Sequence, residues 1–302
     1  MEWKTVTVTT LGAVFLPQFA PERLRRAAVA ADEAGLDELW LWEDCFRESG
    51  IATAAAVLAW TENLAVGIGI LPIPLRNVAV AAMEIATIER LFPGRLHAGV
   101  GSGVRDWMRQ VGADVRSPLG LAEEYIPALK ALLSGQELTA DGEYLRLDCV
   151  TLDWPPTEPM PVYFGAGGPK SLRLSGRIAD GTILTGGTTP AGVRAARTLI
   201  NEGRAEANSS APHRIVVYVM AATGSGARSR LDAEVASWGL DAAEDVAVAG
   251  DAGEVATALR RWADAGADTV VLQPTSDEPD FDGFLRFAGR EVRPLLASHG
   301  RQ

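Results

Sequence analysis

Short apolar segments alternate with longer amphipathic segments along the whole chain. The short segments are rich in β-branched and aromatic residues and are bounded by glycine, proline and charged residues, which is typical of buried strands. They predict eight strands, at Val6–Leu16, Glu38–Trp42, Leu64–Ile70, Arg95–Gly99, Pro161–Phe164, Gly181–Leu184, Arg214–Ala221 and Asp268–Leu272.

The amphipathic segments predict helices between these strands. Their bounds are Pro21–Ala34, Ala52–Thr61, Ala79–Leu91, Leu119–Leu133, Lys170–Ile178, Pro190–Ala207, Ala227–Trp238 and Gly253–Ala265, with a final helix at Phe281–Ala297. Glycine follows several of them, directly at Gly35 and Gly266 and after Phe92-Pro93 at Gly94. We expect these glycines to end the helices in a left-handed conformation, from which the chain returns to the sheet.

Strands that alternate with helices predict an α/β fold with a parallel sheet. A closed (β/α)8 TIM barrel and an open doubly wound sheet share this alternation, but the count of eight strands and the lack of a linker favour the barrel. Residues 1–302 are therefore interpreted as one domain. Two segments lie outside the minimal pattern: 134–160, an inserted excursion with a hairpin signal at Asp141-Gly142, and Gly239–Asp251, which we interpret as a loop on the rim.

Composition excludes several classes of function. The net charge of −11 argues against a nucleic-acid partner, which needs a basic surface. We expect no membrane partner, because no apolar run reaches the ~20 residues of a membrane span, and the first residues do not resemble a signal peptide. A cytoplasmic location follows as an expectation. Cys45 and Cys149 do not form a disulfide framework, and the spacing of His97, His213 and His299 predicts no metal site.

In a parallel α/β fold, ligands bind at the carboxyl ends of the strands. The fifth predicted strand ends in FGAGGPKSL, where Gly165, Ala166, Gly167 and Gly168 precede Pro169 and Lys170 at the start of a helix. Free amides at a helix N-terminus bind anions, above all phosphate. Thr185, Gly186 and Gly187 follow the next strand and are expected to contribute to the same site. A tight turn without a ligand and a solvated Lys170 are the alternatives.

Other strand ends carry glycines, aromatic residues and few acid-base groups. Gly101 and Gly103 lie in VGSGVRDWM, which lacks the spacing of a dinucleotide site. Trp107 in the same segment either covers a flat cofactor or plugs the barrel mouth. Asp44 follows the second strand, where its carboxylate is placed to bond a polar ring edge, although a solvated loop carboxylate is the alternative. Without a nucleophile elbow or a strand-end histidine, the chemistry is expected to come from a cofactor.

The stretch AVGIGILPIPLRN has two glycines inside a predicted strand, Gly67 and Gly69, and then Pro72 and Pro74. Glycine inside a strand weakens packing and marks a bulge or the close approach of a ligand or another backbone. The same stretch begins the segment Leu64–Gly112, which strongly resembles the luciferase-like monooxygenase superfamily, particularly its branch that uses the deazaflavin coenzyme F420. QFAPERLRRAAVAADEAGLDELWLWED, GAGGPKSLRLSGRIADGTIL and VAVAGDAGEVATALRRWADAGADTVVLQP carry the same resemblance in the same order.

This resemblance implies a (β/α)8 barrel that assembles as a homodimer and holds F420, or alternatively FMN, at the strand ends. It places the cofactor phosphate at Gly165–Gly168 and Thr185–Gly187. It also implies a cis peptide bond between Gly69 and Ile70, where the backbone presses against the cofactor ring. Gly101 and Gly103 are included among the cofactor contacts.

Two departures from the family pattern bear on the reaction. Cys45 follows Asp44 where many relatives have histidine, and Val104 stands where relatives that oxidise a sugar phosphate have glutamate. Candidate catalytic residues are therefore Asp44, Cys45 and Trp107, and Cys45 is reactive only if its pKa is lowered.

Three functional hypotheses follow. The first is hydride transfer between F420 and a small organic substrate, the second an FMN-dependent monooxygenase, and the third a non-catalytic flavin-binding barrel. We expect Trp42, Phe46, Trp107 and the insertion 134–160 to build the substrate pocket.

Overall fold

The computed structural model describes residues 9–241 and 244–297. Residues 6–8 of the first predicted strand lie outside these ranges, as does His299. The strands in chain order are β1 Thr10–Phe15, β2 Glu38–Leu41, β3 Ala65–Pro72, β4 Leu96–Gly101, β5 Leu138–Asp141, β6 Arg146–Val150, β7 Val162–Gly165, β8 Gly181–Leu184, β9 Arg214–Ala222, β10 Ala247–Ala249 and β11 Thr269–Pro274.

Eight of these strands close into a parallel barrel. Their order is β1, β2, β3, β4, β7, β8, β9 and β11, with β11 pairing back onto β1. The pairing of β8 with β9, from Gly181 opposite Arg214 to Leu184 opposite Val217, leaves no open edge between the two halves. The prediction of a closed barrel is confirmed, and the doubly wound alternative is wrong.

Helices surround the barrel. They are α1 Leu24–Glu33, α2 Gly50–Trp60, α3 Val78–Leu91, α4 Arg105–Gln110, α5 Pro118–Leu133, α6 Pro169–Ile178, α7 Pro190–Glu206, α8 Ala227–Ser237, α9 Ala252–Asp264, α10 Phe281–Phe287 and α11 Arg293–Ala297. The predicted final helix is interrupted by a π-helical turn at Ala288–Val292. Gly35, Gly94 and Gly266 adopt positive φ angles of 70°, 73° and 109°, as expected of helix-ending glycines.

Side chains at the helix starts explain where several helices begin. Ser49, Asn77, Ser117, Thr189 and Asp251 each accept a hydrogen bond from a backbone amide of the first turn. At α9, Asp251 accepts from the amide of Glu254 at 2.9 Å and Glu254 accepts from the amide of Asp251 at 2.9 Å. These bonds satisfy amides that have no partner inside the helix.

The insertion forms the predicted hairpin, in which β5 and β6 are antiparallel. The Glu124 carboxylate on α5 accepts hydrogen bonds from the amides of Glu143, Tyr144 and Leu145 and so fixes the hairpin turn. Gly239–Asp251 is not only a loop, because β10 lies within it and pairs in parallel with Met220–Ala222 of β9. Three residues are too few for a pattern of alternating polarity to be visible in the sequence.

The interior of the barrel is filled by large side chains that lie against glycines. Trp40 is fully buried, and a Cβ atom at Gly67 would lie 2.2 Å from its indole ring. Tyr163 lies likewise against Gly181, at 2.4 Å from the corresponding Cβ position. The absence of a side chain at Gly67 is therefore required by the packing of Trp40. Over the part of the chain that the structure describes, no helix is long and apolar enough to span a membrane.

Candidate functional site

The carboxyl ends of the strands surround a cavity of about 440 Å³, which we call the mouth cavity. Strand ends and the loops after them supply its walls, as expected for a TIM barrel. Its lining residues are Gln18, Trp42, Glu43, Asp44, Gly69, Ile70, Pro72, Gly101, Ser102, Gly103, Val104, Trp107, Gly165, Ile183, Thr185, Gly186, Tyr218 and Trp238.

A bulge in β3 forms one wall of this cavity. The register between β3 and β4 shifts between Ile68 and Leu71, and the Gly69–Ile70 peptide bond is cis. The predicted cis bond is thus confirmed. A Cβ at Gly69 would lie 2.0 Å from the hydroxyl oxygen of Tyr218, so no larger residue fits there without displacing the tyrosine.

The side chain of Ile70 projects between two other glycines. Cβ atoms at Gly101 and Gly165 would each lie 3.0 Å from Ile70. Two strands, β4 and β7, therefore lack side chains next to this isoleucine, and its side chain is only partly buried at the cavity surface. The arrangement leaves a smooth apolar wall at the mouth.

A second cavity of about 590 Å³, the α6 cleft, adjoins the mouth cavity at Gly165. Ser102, Leu119 and the loop from Phe164 to Ser171 line it. A Cβ at Gly167 would have no atom within 4 Å, so this part of the loop faces open space. The first-turn amides of α6 and the exposed Lys170 give the cleft the donors and the positive charge that an anion requires.

The amides of this loop are partly occupied. Ala166 donates to the carbonyl oxygen of Ile183 at 3.2 Å, and Gly168 donates to the hydroxyl of Ser171 at 3.1 Å. The Ser171 hydroxyl returns a bond to the carbonyl oxygen of Gly168 at 2.9 Å, which holds the start of α6 in shape. These bonds hold the backbone of the loop in a defined conformation.

The segment Thr185–Gly187 is placed differently from the sequence-based expectation. Thr185 and Gly186 line the mouth cavity and not the α6 cleft. Gly187 has a φ angle of 85°, and a Cβ there would lie 2.7 Å from Leu240. The space that the two glycine loops share is the mouth cavity, which Gly165 lines from one loop and Gly186 from the other.

Asp44 and Cys45 both follow β2 and both line a cleft beside the mouth, but of the two only Asp44 lines the mouth cavity as well. Asp44 is half-buried at the mouth, and burial raises the pKa of its carboxyl group, with the positive charge of Arg47 acting in the opposite direction. Cys45 lies in a neighbouring cleft of about 630 Å³, the rim cleft. Burial and the carboxylates of Glu43 and Asp44 raise the pKa of the Cys45 thiol. The condition for a reactive thiolate is therefore not met.

The substrate pocket was expected to consist of three aromatic residues and the insertion. Trp42 and Trp107 line the mouth cavity, whereas Phe46 and the insertion do not. Phe46 lines the rim cleft instead, is 64% exposed and follows a second cis peptide bond, Cys45–Phe46, that the sequence did not indicate. The insertion 134–160 supplies no residue to the mouth cavity, because its hairpin packs on α5.

Sequence reasoning did not single out two aromatic residues of the mouth, and it noted Gln273 only as a residue at a strand end. Tyr218 and Trp238 form an aromatic wall with Trp42: the ring centroids of Trp42 lie 5.3 Å from Tyr218 and 6.4 Å from Trp238. Gln273 lies beneath Gly186, where a Cβ would be 2.6 Å from its side-chain oxygen. Tyr218 and Gln273 belong to strands whose two faces are both buried, so the alternation that would identify inward residues is hidden.

Several buried polar groups at this end have no well-formed hydrogen bond within the described residues. They are the Trp42 indole nitrogen, the Tyr218 hydroxyl, both amide atoms of Gln273 and the Thr275 hydroxyl. Burial raises the pKa of Tyr218 well above its ordinary value, so the hydroxyl stays protonated. Unsatisfied polar groups are rare in protein interiors and are concentrated where ligands bind.

Residues 1–238 match the family model described as luciferase-like monooxygenase. The chain belongs to this family. An F420-dependent glucose-6-phosphate dehydrogenase of Nakamurella multipartita is 34% identical over 193 residues, which are 57% of this chain and 55% of that protein. The chain thus spans about half the length of the curated relatives that it matches.

Solved structures agree with the barrel of this family member. A coenzyme F420-dependent tetrahydromethanopterin reductase from Methanopyrus kandleri is 19% identical with a TM-score of 0.82, covering 95% of this chain and 99% of that chain. An F420-dependent secondary alcohol dehydrogenase, solved with an F420–acetone adduct, is 20% identical with a TM-score of 0.85 over the same shares. At identities this low, the similarity to these structures shows the fold alone.

Proposed function

We propose that the protein is an oxidoreductase that transfers a hydride between coenzyme F420 and a small organic substrate held in the mouth cavity. The observation that carries the proposal is the continuity of an apolar wall, at Ile70 between Gly101 and Gly165, with an anion cleft at α6. A flat ring on the wall and a phosphate in the cleft would be joined through Gly165, which lines both spaces.

The residues present fit such a cofactor. The open space at Gly167, the amides of the first α6 turn and Lys170 would hold the phosphate. Gly69 and Ile70 would support one face of the ring, with Gly101 and Gly103 lining the next strand end. Asp44 would accept a hydrogen bond at the polar ring edge when it is ionised.

Bound F420 would supply a carbon that accepts or releases a hydride. The chain would contribute binding, orientation and exclusion of water. Trp107 and Trp238 line the cavity and are both partly exposed, so they would limit the access of solvent to the reacting atoms. Burial raises the pKa of the Asp44 carboxyl group, which makes this group the candidate to hold or release a proton.

In the first experiment the protein is titrated with F420 and with FMN. Binding is measured from the change in tryptophan fluorescence. F420 is expected to bind more tightly than FMN, and replacement of Lys170 by glutamine is expected to weaken F420 binding about tenfold by removing one charge-assisted contact. Lys130→Gln is the matched control, because Lys130 bonds Asp180 at 2.7 Å away from both cavities.

The outcomes separate the hypotheses. Binding of neither cofactor would reject the proposal. FMN binding with oxygen consumption would favour the monooxygenase, since the reduced deazaflavin reacts poorly with oxygen. Cofactor binding without turnover of any substrate would favour the non-catalytic barrel.

We also infer a cytoplasmic homodimer. Val80, Met83 and Leu91 form an apolar stripe on the outer face of α3, with exposed fractions of 47%, 58% and 66%. A second copy of the chain is the partner that the family resemblance implies for this stripe. The two free thiols, Cys45 and Cys149, suit a reducing compartment. Size-exclusion chromatography with light scattering measures the mass of the assembly. Met83→Glu is expected to shift this mass to that of a monomer.

A further inference from the structure

The substrate side of the mouth cavity is built from aromatic rings held in fixed positions. The Trp238 indole donates to the Glu234 carboxylate at 3.1 Å, and the same carboxylate accepts from the hydroxyl of Ser276 at 2.7 Å. The Trp42 ring meets both Trp238 and Tyr218 edge to face. Because these rings are already oriented, a flat ligand would lose little further side-chain entropy on binding between them.

The same cavity has an unusual distribution of charge. Glu43 and Asp44 are its ionisable acids, and among the described lining residues there is no lysine, arginine or histidine. Glu43 is already engaged: Arg76 forms two hydrogen bonds with its carboxylate, and the amide of Gly50 donates to it at 2.7 Å. The acidic Asp44 is left facing the space that a substrate would enter.

Nearby arginines lie outside the mouth cavity, although the charge of Arg47 acts on Asp44 from the rim cleft. Arg76 lies in the rim cleft between Glu43 and Glu84, bonded to both. Arg47 in the same cleft donates to the carbonyl oxygen of Pro17 at 2.9 Å. Lys170 lines the α6 cleft, where its ammonium group would already be paired with the phosphate of the proposed cofactor.

A phosphorylated substrate needs a cation or a cluster of amide donors to replace its hydration shell. The mouth cavity offers a carboxylate and aromatic rings instead, and Val104 adds an exposed apolar side chain to its wall. The sugar phosphate in the name of the Nakamurella relative therefore does not suit this chain. A neutral ring system does, because ring faces pack edge to face with tryptophan and tyrosine.

From these observations we propose that the substrate is a neutral, flat and mostly apolar organic molecule, such as an aromatic ketone or the corresponding alcohol, and not a phosphorylated sugar. This inference rests on the proposed function, because it assumes that the cofactor occupies the Ile70 wall and the α6 cleft. A ketone and its alcohol differ by one hydride and one proton, which is the exchange that the proposed chemistry requires.

Calorimetry on the full-length protein saturated with F420 tests the inference. F420 binding is measured first, so its absence would reject the proposed function and would be distinguishable from a failure of the substrate assignment. The loaded protein is then titrated with a panel of neutral aromatic ketones and alcohols, including acetophenone, and with glucose 6-phosphate. We expect at least one member of the panel to bind and glucose 6-phosphate to bind at least about tenfold more weakly.

Binding of glucose 6-phosphate as tight as that of the best panel member, or binding of no panel member, would overturn the assignment. A pair of variants at Trp238 sharpens the test. Trp238→Arg introduces a guanidinium at the entrance and removes an aromatic wall, so the ratio of the two affinities is expected to move toward the phosphate by about tenfold.

Trp238→Phe is the matched control, because it loses the bond to Glu234 as Trp238→Arg does but keeps an aromatic face and adds no charge. It is expected to keep the ratio of affinities within about threefold of that of the unmodified chain. F420 affinity and thermal unfolding, measured on both variants, establish that each is folded and loaded. An unchanged ratio in a folded, loaded Trp238→Arg protein would also count against the proposal.

Discussion

The two ends of the barrel treat buried polar groups in opposite ways. At the amino-terminal end, Glu38 is 3% exposed, and its carboxylate accepts from the Trp40 indole at 2.7 Å and lies 3.3 Å from His97. The Thr269 hydroxyl adds a third contact at 3.5 Å. Burial alone would raise the pKa of Glu38, but His97, Trp40 and Arg214 outweigh it, and the pKa lies below its ordinary value.

At the carboxyl-terminal end, the Trp42 indole nitrogen, the Tyr218 hydroxyl and the Gln273 amide atoms are buried but lack well-formed bonds among the described residues. The Trp42 indole and the Tyr218 hydroxyl lie near each other without the geometry of a full hydrogen bond. Apart from one ring nitrogen of His97, the amino-terminal cluster has the partners that these groups lack. An unsatisfied buried polar group costs stability. The comparison indicates that the amino-terminal end has the better satisfied interior, and the unsatisfied groups at the mouth support the proposed ligand site.

The strongest challenge to this comparison is removal of Trp40. Trp40→Ala would leave a large cavity against Gly67 and would leave Glu38 without its indole partner. We expect a loss of about 3–5 kcal/mol in the free energy of unfolding, measured by denaturant titration. Trp60→Ala, on an indole that is 38% exposed at the end of α2, is the control and should cost far less. Equal losses would show that the barrel interior is not the main source of stability.

Acid titration probes the amino-terminal end through His213, just before β9. Burial, with the positive charges of Arg197 and Arg204, lowers the pKa of His213 to about 4 from an ordinary value of 6.5. Its ring bonds the Thr182 hydroxyl at 2.8 Å. Below pH 6.5 the unfolded chain takes up a proton that the folded chain refuses until about pH 4, so stability falls as the pH falls through this window.

The expected loss from His213 is at most about 3 kcal/mol between pH 6.5 and pH 4. His213→Gln removes the titrating group, and its free energy of unfolding should fall less steeply over the same window. Denaturant titrations of both proteins at matched pH values measure the difference. Parallel slopes would mean that His213 does not contribute to the acid sensitivity.

At the mouth, substitution of Gly69 tests whether close packing against Tyr218 requires glycine at this position. Gly69→Ala places a Cβ 2.0 Å from the Tyr218 oxygen, and we expect a cost of about 1–3 kcal/mol from the displaced ring. In a Tyr218→Phe background that oxygen is absent, the next ring atom lies 3.2 Å away, and most of the cost should disappear. A double-mutant cycle measured by thermal unfolding gives this coupling.

Gly167→Ala is the control for that cycle, since no atom lies within 4 Å of its Cβ position and its φ angle is not positive. Its effect on unfolding should be close to zero. A similar cost at both glycines, or no recovery with Tyr218→Phe, would contradict the packing explanation.

Local patterns predicted much of the fold. Glycine at the ends of helices, prolines at helix starts and alternating apolar segments located the eight barrel strands and their helices, and the strand count favoured closure. The family resemblance, and not a local pattern, implied the cis bond at Gly69–Ile70. The candidate residues from the sequence that line the mouth cavity are Trp42, Asp44, Gly69, Ile70, Gly101, Gly103, Trp107, Gly165, Thr185 and Gly186. Tyr218 lies in RIVVYVMAA, a run so uniformly apolar that the inward face is not marked. Trp238 and the packing of the insertion on α5 depend on tertiary contacts between distant segments.

The smallest expected effect on stability, that of replacing Gln273, distinguishes the two ends of the barrel most directly. Gln273 is 1% exposed and neither of its amide atoms has a partner among the described residues, so Gln273→Leu removes unsatisfied groups at similar volume. We expect the free energy of unfolding to stay the same or to rise by about 1 kcal/mol. Glu38→Leu is the counterpart at the other end, and it should cost about 3 kcal/mol or more because the Trp40 indole and His97 lose their partner. Denaturant titration of the two variants decides the matter: a costly Gln273→Leu would mean that the glutamine stabilises the mouth, and the proposed division between a stabilising end and a binding end would be wrong.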